Sequence, residues 1–464
     1  MSDQAADVAV PGDLLRAISE RAGRVTFVLG AGCSLEDPAG LKLSSVYSKM
    51  VFDRLATDGE LSEDDCADPA DLSSVASAVY EKFGDQRRVV QRLPRNDFRY
   101  AKANEGYLIA AALLAEGAIS CVATLNYDLA LTDAVRQLDA REVNEIAGPN
   151  HLADFGTSAI VYLHRNVNEQ DAERWILRKE ALDHEWQSGW ESIVAARIAT
   201  APVVVFAGLG SPAAVLTDAV VRLRELVPDA LLAYLVDPEQ RSAFADALAL
   251  PDDNHVRAKW GEFMRRLAAR VASEARSELR AACDILIGEH GWSDPTEPID
   301  HVCDVYEAAG LIGMGRIRAA WLDRDRAYEP DHPSQRELLG DLVLGLALLS
   351  GGATTDISLE PDGAVILSAP AKPSRRVLAL SGRGTRRWSQ IDPLLSAREA
   401  DPGAAFDLVL AAGFQGERPE QWAPPKDIIV QRNDNDITVG TPPPKVVSID
   451  DIRGAADLLG ETSF

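Results

Sequence analysis

The chain has 464 residues and a formal net charge of −25, from 47 Lys and Arg against 72 Asp and Glu. Its 46% hydrophobic and 26% charged content belongs to a folded protein of two or three domains, and excludes disordered, collagen-like and disulfide-scaffold chains. Such a surface repels phosphate backbones and anionic membranes, so nucleic-acid binding would require a local basic patch.

The opening segment MSDQAADVAVPGD lacks the cationic flank and apolar run of a signal peptide. Apolar stretches elsewhere fall far short of the ~20 residues that span a bilayer. A cytoplasmic protein without a membrane segment is therefore expected. From Asp13, DLLRAISERAG predicts an N-capped amphipathic helix with Leu14, Leu15, Ile18 and Ala22 on one face and Gly23 ending it. A buried strand, VTFVLG, follows at once.

Further apolar runs rich in β-branched residues lie at Cys121 to Leu125, Ala159 to Leu163, Val203 to Ala207 and Leu231 to Val236, separated by segments of helical periodicity. Continuous apolar strands alternating with helices are the pattern of a parallel sheet covered on both faces. Residues 1–240 thus predict a doubly wound, Rossmann-like α/β domain. A helical insert over about 41–118 contains VYSKMVFDRL, LSSVASAVYEKF and GYLIAAALLAEG. Within it, Asp58 to Asp71 carries seven acidic and no basic residues, the composition of a solvated loop.

Residues 241–350 read as mostly helical. From 351 to 464, Pro, Gly and Asp punctuate short β-rich runs (AVILSA, RVLAL, DLVLAA, DIIVQ, KVVSI), which predicts a separate α+β module. Five cysteines, at 33, 66, 121, 283 and 303, include no CxxC pair, so neither a disulfide framework nor a zinc site is expected.

Four motifs carry chemistry, each at the carboxyl end of a different predicted strand, where ligands of doubly wound sheets bind. Gly30-Ala31-Gly32-Cys33-Ser34 follows the first strand. It suits either close approach of a diphosphate at a helix start or a plain tight turn, and Leu35 stands where a third glycine would complete GxGxxG. Thr124-Leu125-Asn126-Tyr127-Asp128 presents polar groups to the crevice, or an Asx turn capping the next helix. His164 ends AIVYLH and is followed by Arg165 and Asn166. Gly208-Leu209-Gly210-Ser211-Pro212 follows PVVVFAG, and Ser211 suits a ribose or phosphate, or a helix cap.

The ordered set GAG-x-S, T-x-NYD, a strand ending in LH, and G-x-GS after another strand resembles the sirtuin-like NAD-binding superfamily over about residues 24–240. The NYD form is similar to bacterial sirtuin-like effectors of anti-phage defence. The resemblance implies cleavage of NAD, as substrate, between nicotinamide and ribose. It places the catalytic asparagine at Asn126 and the catalytic histidine at His164. It also places Asp128 at the nicotinamide ribose or carboxamide, Gly30, Ala31, Gly32 and Ser34 at the diphosphate, and Gly208 and Ser211 on the adenosine side. Protein-deacylating sirtuins carry a four-cysteine zinc module and usually glycine after the histidine. Here there is no CxxC, which argues against a protein-lysine deacylase, and no metal is implied; Arg165 follows His164, a departure that bears on the catalytic geometry.

Lys372 to Trp388 holds six basic and no acidic residues. Guanidinium forks and backbone amides there suit a phosphate or nucleotide signal, a macromolecular partner, or an internal salt-bridged surface. Two functions from different classes follow as expectations. One is a regulated, homo-oligomeric NAD glycohydrolase controlled through its carboxyl-terminal module. The other is a non-catalytic NAD or ADP-ribose-binding subunit that scaffolds a partner, such as an ATPase or an Argonaute-like protein. Transfer of ADP-ribose to protein is a third.

Overall fold

The computed structural model describes residues 9–20, 23–140, 143–154, 158–178, 180–181, 189–210, 217–218, 220–221, 225, 232–239, 242–290, 296–322, 333–350, 356–360, 363–368, 374–382, 386–391, 406–417, 429–433, 436–439 and 445–448. The chain divides into two compact units, Met1–Val271 and Ala272–Phe464, with the boundary inside the helix Trp260–His290.

In the first unit, helix α1 (Gly12–Ser19) precedes strand β1 (Val25–Leu29). The helical insert follows as α2 (Ser44–Thr57), α3 (Leu72–Phe83), α4 (Arg87–Arg92), α5 (Arg95–Arg99) and α6 (Glu105–Ala115). Then come β2 (Cys121–Thr124), α7 (Ala130–Gln137), β3 (Asn144–Ile146), β4 (Ala159–Tyr162), β5 (Val203–Ala207), β6 (Leu232–Val236) and β7 (His255–Val256).

These seven strands form one sheet in the order β3-β4-β2-β1-β5-β6-β7, and every adjacent pair is parallel. All residues of β1, β2, β4 and β5 are buried. Burial on both faces is why these strands read as unbroken apolar runs rather than alternating ones. From β1 the chain passes to β2 on one side, and later to β5 on the other. Order therefore reverses at β1, which opens a crevice beyond the carboxyl ends of β2, β1 and β5. The apolar core on one face includes Val28, Ala123, Val161, Val204 and Leu235.

In the second unit, β8 (Asp356–Leu359), β9 (Ala364–Ser368), β10 (Arg375–Ser381), β11 (Leu408–Ala412) and β14 (Lys445–Ser448) form a mixed sheet in the order β14-β11-β10-β9-β8. A two-stranded ribbon pairs β12 (Ile429–Asn433) with β13 (Asp436–Val439). β10, β11 and β14 are parallel, and β8 and β9 are antiparallel. Helices Thr296–Ala308, Gly310–Trp321 and Pro333–Ser350 contribute Ile299, Tyr306, Trp321 and Leu342 to the same core as Val377, Leu408 and Leu410. Residues 241–350 are thus divided between the two units. Within the basic segment, Arg376 pairs with Glu360 at 2.8 Å and lies over Phe406, whereas Arg383 and Gly384 fall outside the described residues.

Candidate functional site

β1 runs straight into a 3-10 turn, Ala31–Ser34, at the predicted motif. There the loop after β1 crosses the loop after β5. Gly30 N donates to Ala207 O at 2.9 Å, and Gly32 N donates to Gly208 O at 2.9 Å. A Cβ on Gly30 would stand 2.5 Å from Gly208 O, and one on Gly32 would stand 2.7 Å from Gly208 Cα. Gly208 itself has φ of 65°, a left-handed backbone that glycine adopts without cost. The glycines are therefore required by the approach of two backbones, and the amides of Gly30 and Gly32 donate within the protein. Ser211 lies outside the described residues.

Beside this crossing lies a buried polar network. Thr124 Oγ1, at the end of β2, accepts from Asn126 N at 3.0 Å and sets the turn. Asn126 Nδ2 then reaches Gly30 O at 3.0 Å, Ser34 Oγ at 3.2 Å and Tyr107 OH at 3.2 Å. Ser34 Oγ donates to Asp128 Oδ2 at 2.9 Å and lies 2.7 Å from Tyr107 OH. The other oxygen of Asp128 accepts from Ala130 N at 3.0 Å, which is the Asx turn that starts α7. The side chain that closes the turn before α7 is thus also a member of the network. Ser34, Tyr107, Asn126 and Asp128 are all buried. Burial raises the Asp128 carboxyl above the usual carboxylate range, opposed by the bonds from Ala130 and Ser34.

Tyr107 is the functional candidate that sequence reasoning missed. It sits in the first turn of α6, whose N-cap Asn104 accepts from Tyr107 N at 3.0 Å and donates to Cys33 O at 2.7 Å. One helix end is thereby tied to the β1 loop. The available signals were an asparagine cap before GYLIAAALLAEG and a lone hydroxyl in an otherwise apolar helix directly preceding a strand.

Ala31, Ser34, Asn126, Tyr127 and Asp128 line a cavity of about 90 Å³, roofed by the insert residues Tyr47, Leu72, Leu93 and Phe98. His164 is absent from that lining. It is half-buried two residues beyond β4, its ring 6.2 Å from that of Tyr127, which stacks on Trp175 at 4.9 Å. Val167 N donates to Tyr127 O at 2.9 Å, and Arg95 donates to Val167 O at 3.0 Å, so the segment after His164 is pinned to both the loop after β2 and the insert. Arg165, where the resembled family usually has glycine, takes φ of 72° and places its guanidinium 5.0 Å over Trp190. The backbone conformation suited to glycine is present without the glycine.

Burial lowers the His164 pKa from 6.5 to about 4; a bond to the Leu125 backbone opposes the shift and Arg165 adds to it. The ring is therefore neutral at pH 7. Because its folded value lies below its unfolded one, the folded protein binds fewer protons between them, and this contribution to stability falls as pH drops from 6.5 toward about 4. Unfolding midpoints measured across that range should decline more steeply in the wild type than in His164→Gln. Parallel curves would show that His164 titrates normally.

No protein-family model matches the sequence, and no curated protein does. Among solved structures, the chain is similar to a crystal structure of a Sir2 homologue–NAD complex, at 16% identity over 58% of this chain and 97% of that one, with a TM-score of 0.36. It is also similar to a structure described as the structural basis for the mechanism and regulation of Sir2 enzymes, at 16% identity over 57% and 99%, TM-score 0.33. A third, on the structural basis for sirtuin substrate affinity, gives 18% identity over 55% and 94%, TM-score 0.31. At these values the chemistry of the site rests on its own geometry. Among the described residues no group of three or more His, Cys, Asp or Glu is placed to hold a metal ion, and no helix is long and apolar enough to cross a membrane.

Proposed function

We propose that the chain is a regulated NAD glycohydrolase that cleaves NAD to nicotinamide and ADP-ribose. The observation that carries this reading is the Asn126 amide, held by its nitrogen at the strand-end crevice and lining the cavity, with a neutral His164 two residues beyond the neighbouring strand β4. Nicotinamide departs from a pyridinium as a neutral molecule, so the glycosidic bond breaks without a general acid and without the carboxylate pair of ordinary glycosidases. Water then bonds to the ribose carbon. Asn126 orients the water or a ribose hydroxyl through its carbonyl oxygen, and His164 takes the released proton. The Asp128 carboxylate favours the cationic ring and the oxocarbenium-like ribose.

The cavity is smaller than the ~300 Å³ at which ligand pockets begin, so a dinucleotide enters once the insert helices over it move. That supports control of the activity. We assign the control to assembly into a homo-oligomer and to the carboxyl-terminal unit, which would take a nucleotide signal or a partner protein. The motif resemblance supports a role in anti-phage defence by NAD depletion.

The test is nicotinamide and ADP-ribose release from NAD by the purified chain over a range of protein concentrations. Equimolar products that disappear in His164→Ala, with specific activity rising as the chain assembles, are expected. Saturable NAD binding without turnover at any concentration would instead assign a binding subunit.

A further inference from the structure

The hydrogen bonds around Asn126 have a direction. Ser34 Oγ donates to Asp128 Oδ2, 2.9 Å away, so its hydroxyl hydrogen is committed to the carboxyl group. Ser34 Oγ then offers lone pairs alone, and the Tyr107 hydroxyl, at 2.7 Å, donates to it. With its hydrogen committed, Tyr107 OH accepts from Asn126 Nδ2 at 3.2 Å and shares that amide hydrogen with Ser34 Oγ, also at 3.2 Å, while Gly30 O takes the other at 3.0 Å. Turning the amide over would set its oxygen against the Gly30 carbonyl, acceptor to acceptor, with no donor left at Tyr107. Every member is buried, where such a mismatch is costly.

We infer that Tyr107, acting through Asn126 and together with Ser34, is a positioning residue: the sequence of bonds from Asp128 through Ser34 and Tyr107 holds the Asn126 carbonyl oxygen toward the cavity. There it accepts a hydrogen from water or a ribose hydroxyl. This deepens the NAD-cleavage reading and rests on it for its consequence in turnover. Tyr107 is itself held by elements other than the strands. Asn104 fixes the helix turn that carries it, and Trp260 packs 6.4 Å from its ring, centroid to centroid. Gly106 makes room for that indole, since a Cβ there would collide with Trp260 Nε1. Asp128 and Ser34 thus have a task inside the protein beyond any contact with ligand.

The experiment uses the full chain and the variants Tyr107→Phe, Ser34→Ala and both together. Tyr107→Phe keeps the buried ring and deletes only the hydroxyl. Two readouts are taken. The first is the side-chain amide resonances of Asn126 in asparagine-labelled protein, identified by their loss in Asn126→Ala. The second is kcat and KM for nicotinamide release. Both single variants should move the amide resonances and lower kcat by about ten- to a hundredfold, with KM changed less than about twofold. The double variant should be no slower than Ser34→Ala, because that change already removes both the direct bond to Asn126 and the route through Tyr107. Resonances unmoved in Tyr107→Phe, or kcat losses that multiply in the double variant, would overturn the inference. Should Tyr107→Phe fail to fold, Ser34→Ala breaks the chain of bonds from its other end and is read the same way. Resonances that move in a protein whose wild type releases no nicotinamide would uphold the positioning of the amide and reject NAD cleavage.

Discussion

Under the proposed NAD cleavage, Asn126→Ala is expected to lower nicotinamide release by about two to three orders of magnitude, the loss typical of deleting one preorganised polar group from a reacting centre. The variant removes the carbonyl oxygen assigned to water or ribose. It also leaves Gly30 O and Tyr107 OH without their amide donor. Gly30 O keeps the Cys33 amide at 3.1 Å and Tyr107 OH keeps Ser34 Oγ at 2.7 Å, so each lost bond costs about 0.5–1.5 kcal/mol. That is tolerable beside the 5–15 kcal/mol of a typical domain, so the protein remains folded while activity is lost. Melting curves and single-turnover product formation, measured on the same sample, separate the two effects. Turnover within about twofold of wild type would remove Asn126 from the mechanism.

Gly208→Ala should give the largest stability loss of a single methyl addition near the site. The residue has φ of 65°, and its new Cβ would lie 2.5 Å from Cys33 N and 2.9 Å from Cys33 Sγ. A left-handed alanine costs about 1 kcal/mol, and overpacking against backbone adds about 1–3 kcal/mol because neither loop can yield alone. A destabilisation of about 2–4 kcal/mol follows, read as a lower denaturant midpoint for the first unit. Gly210→Ala is the control. A Cβ at Gly210 meets nothing within 4 Å, so its midpoint should stay within about 0.5 kcal/mol of wild type. Equal midpoints for the two variants would mean that the loops after β1 and β5 do not cross as described.

The seven-stranded sheet was readable in the chain to the extent that its strands are buried on both faces. VTFVL, AIVY and VVVFA need no partner to be recognised, because an unbroken β-branched run between helical segments has few other uses. The edge strands β3 and β7, with three and two residues, carry no such signal and are strands only because β4 and β6 offer them hydrogen-bonding edges. In the second unit β8 and β13 passed unseen for the same reason: DISL and DITV are short and half polar.

At the site, strand-end position identified Asn126, Asp128 and Ser34 as polar groups facing a crevice. Local pattern left the glycines open between a diphosphate cradle and a tight turn. The deciding contact joins residues 30 and 208, far apart in the chain, and no local periodicity encodes it. Tyr107 was hidden likewise, since its helix belongs to an insert that looked like decoration and its partners come from the loops after β1 and β2.

Composition and hydrophobic period, which act residue by residue, were enough to determine a parallel α/β sheet and the strand ends at which its polar motifs lie. Tertiary structure alone decided that two glycine loops cross, that Asp128 closes the turn before α7 while bonding Ser34, and that Asn126 meets a tyrosine from the insert. Those features depend on which distant segments touch, and on the directionality of hydrogen bonds formed only after burial has removed water as an alternative partner.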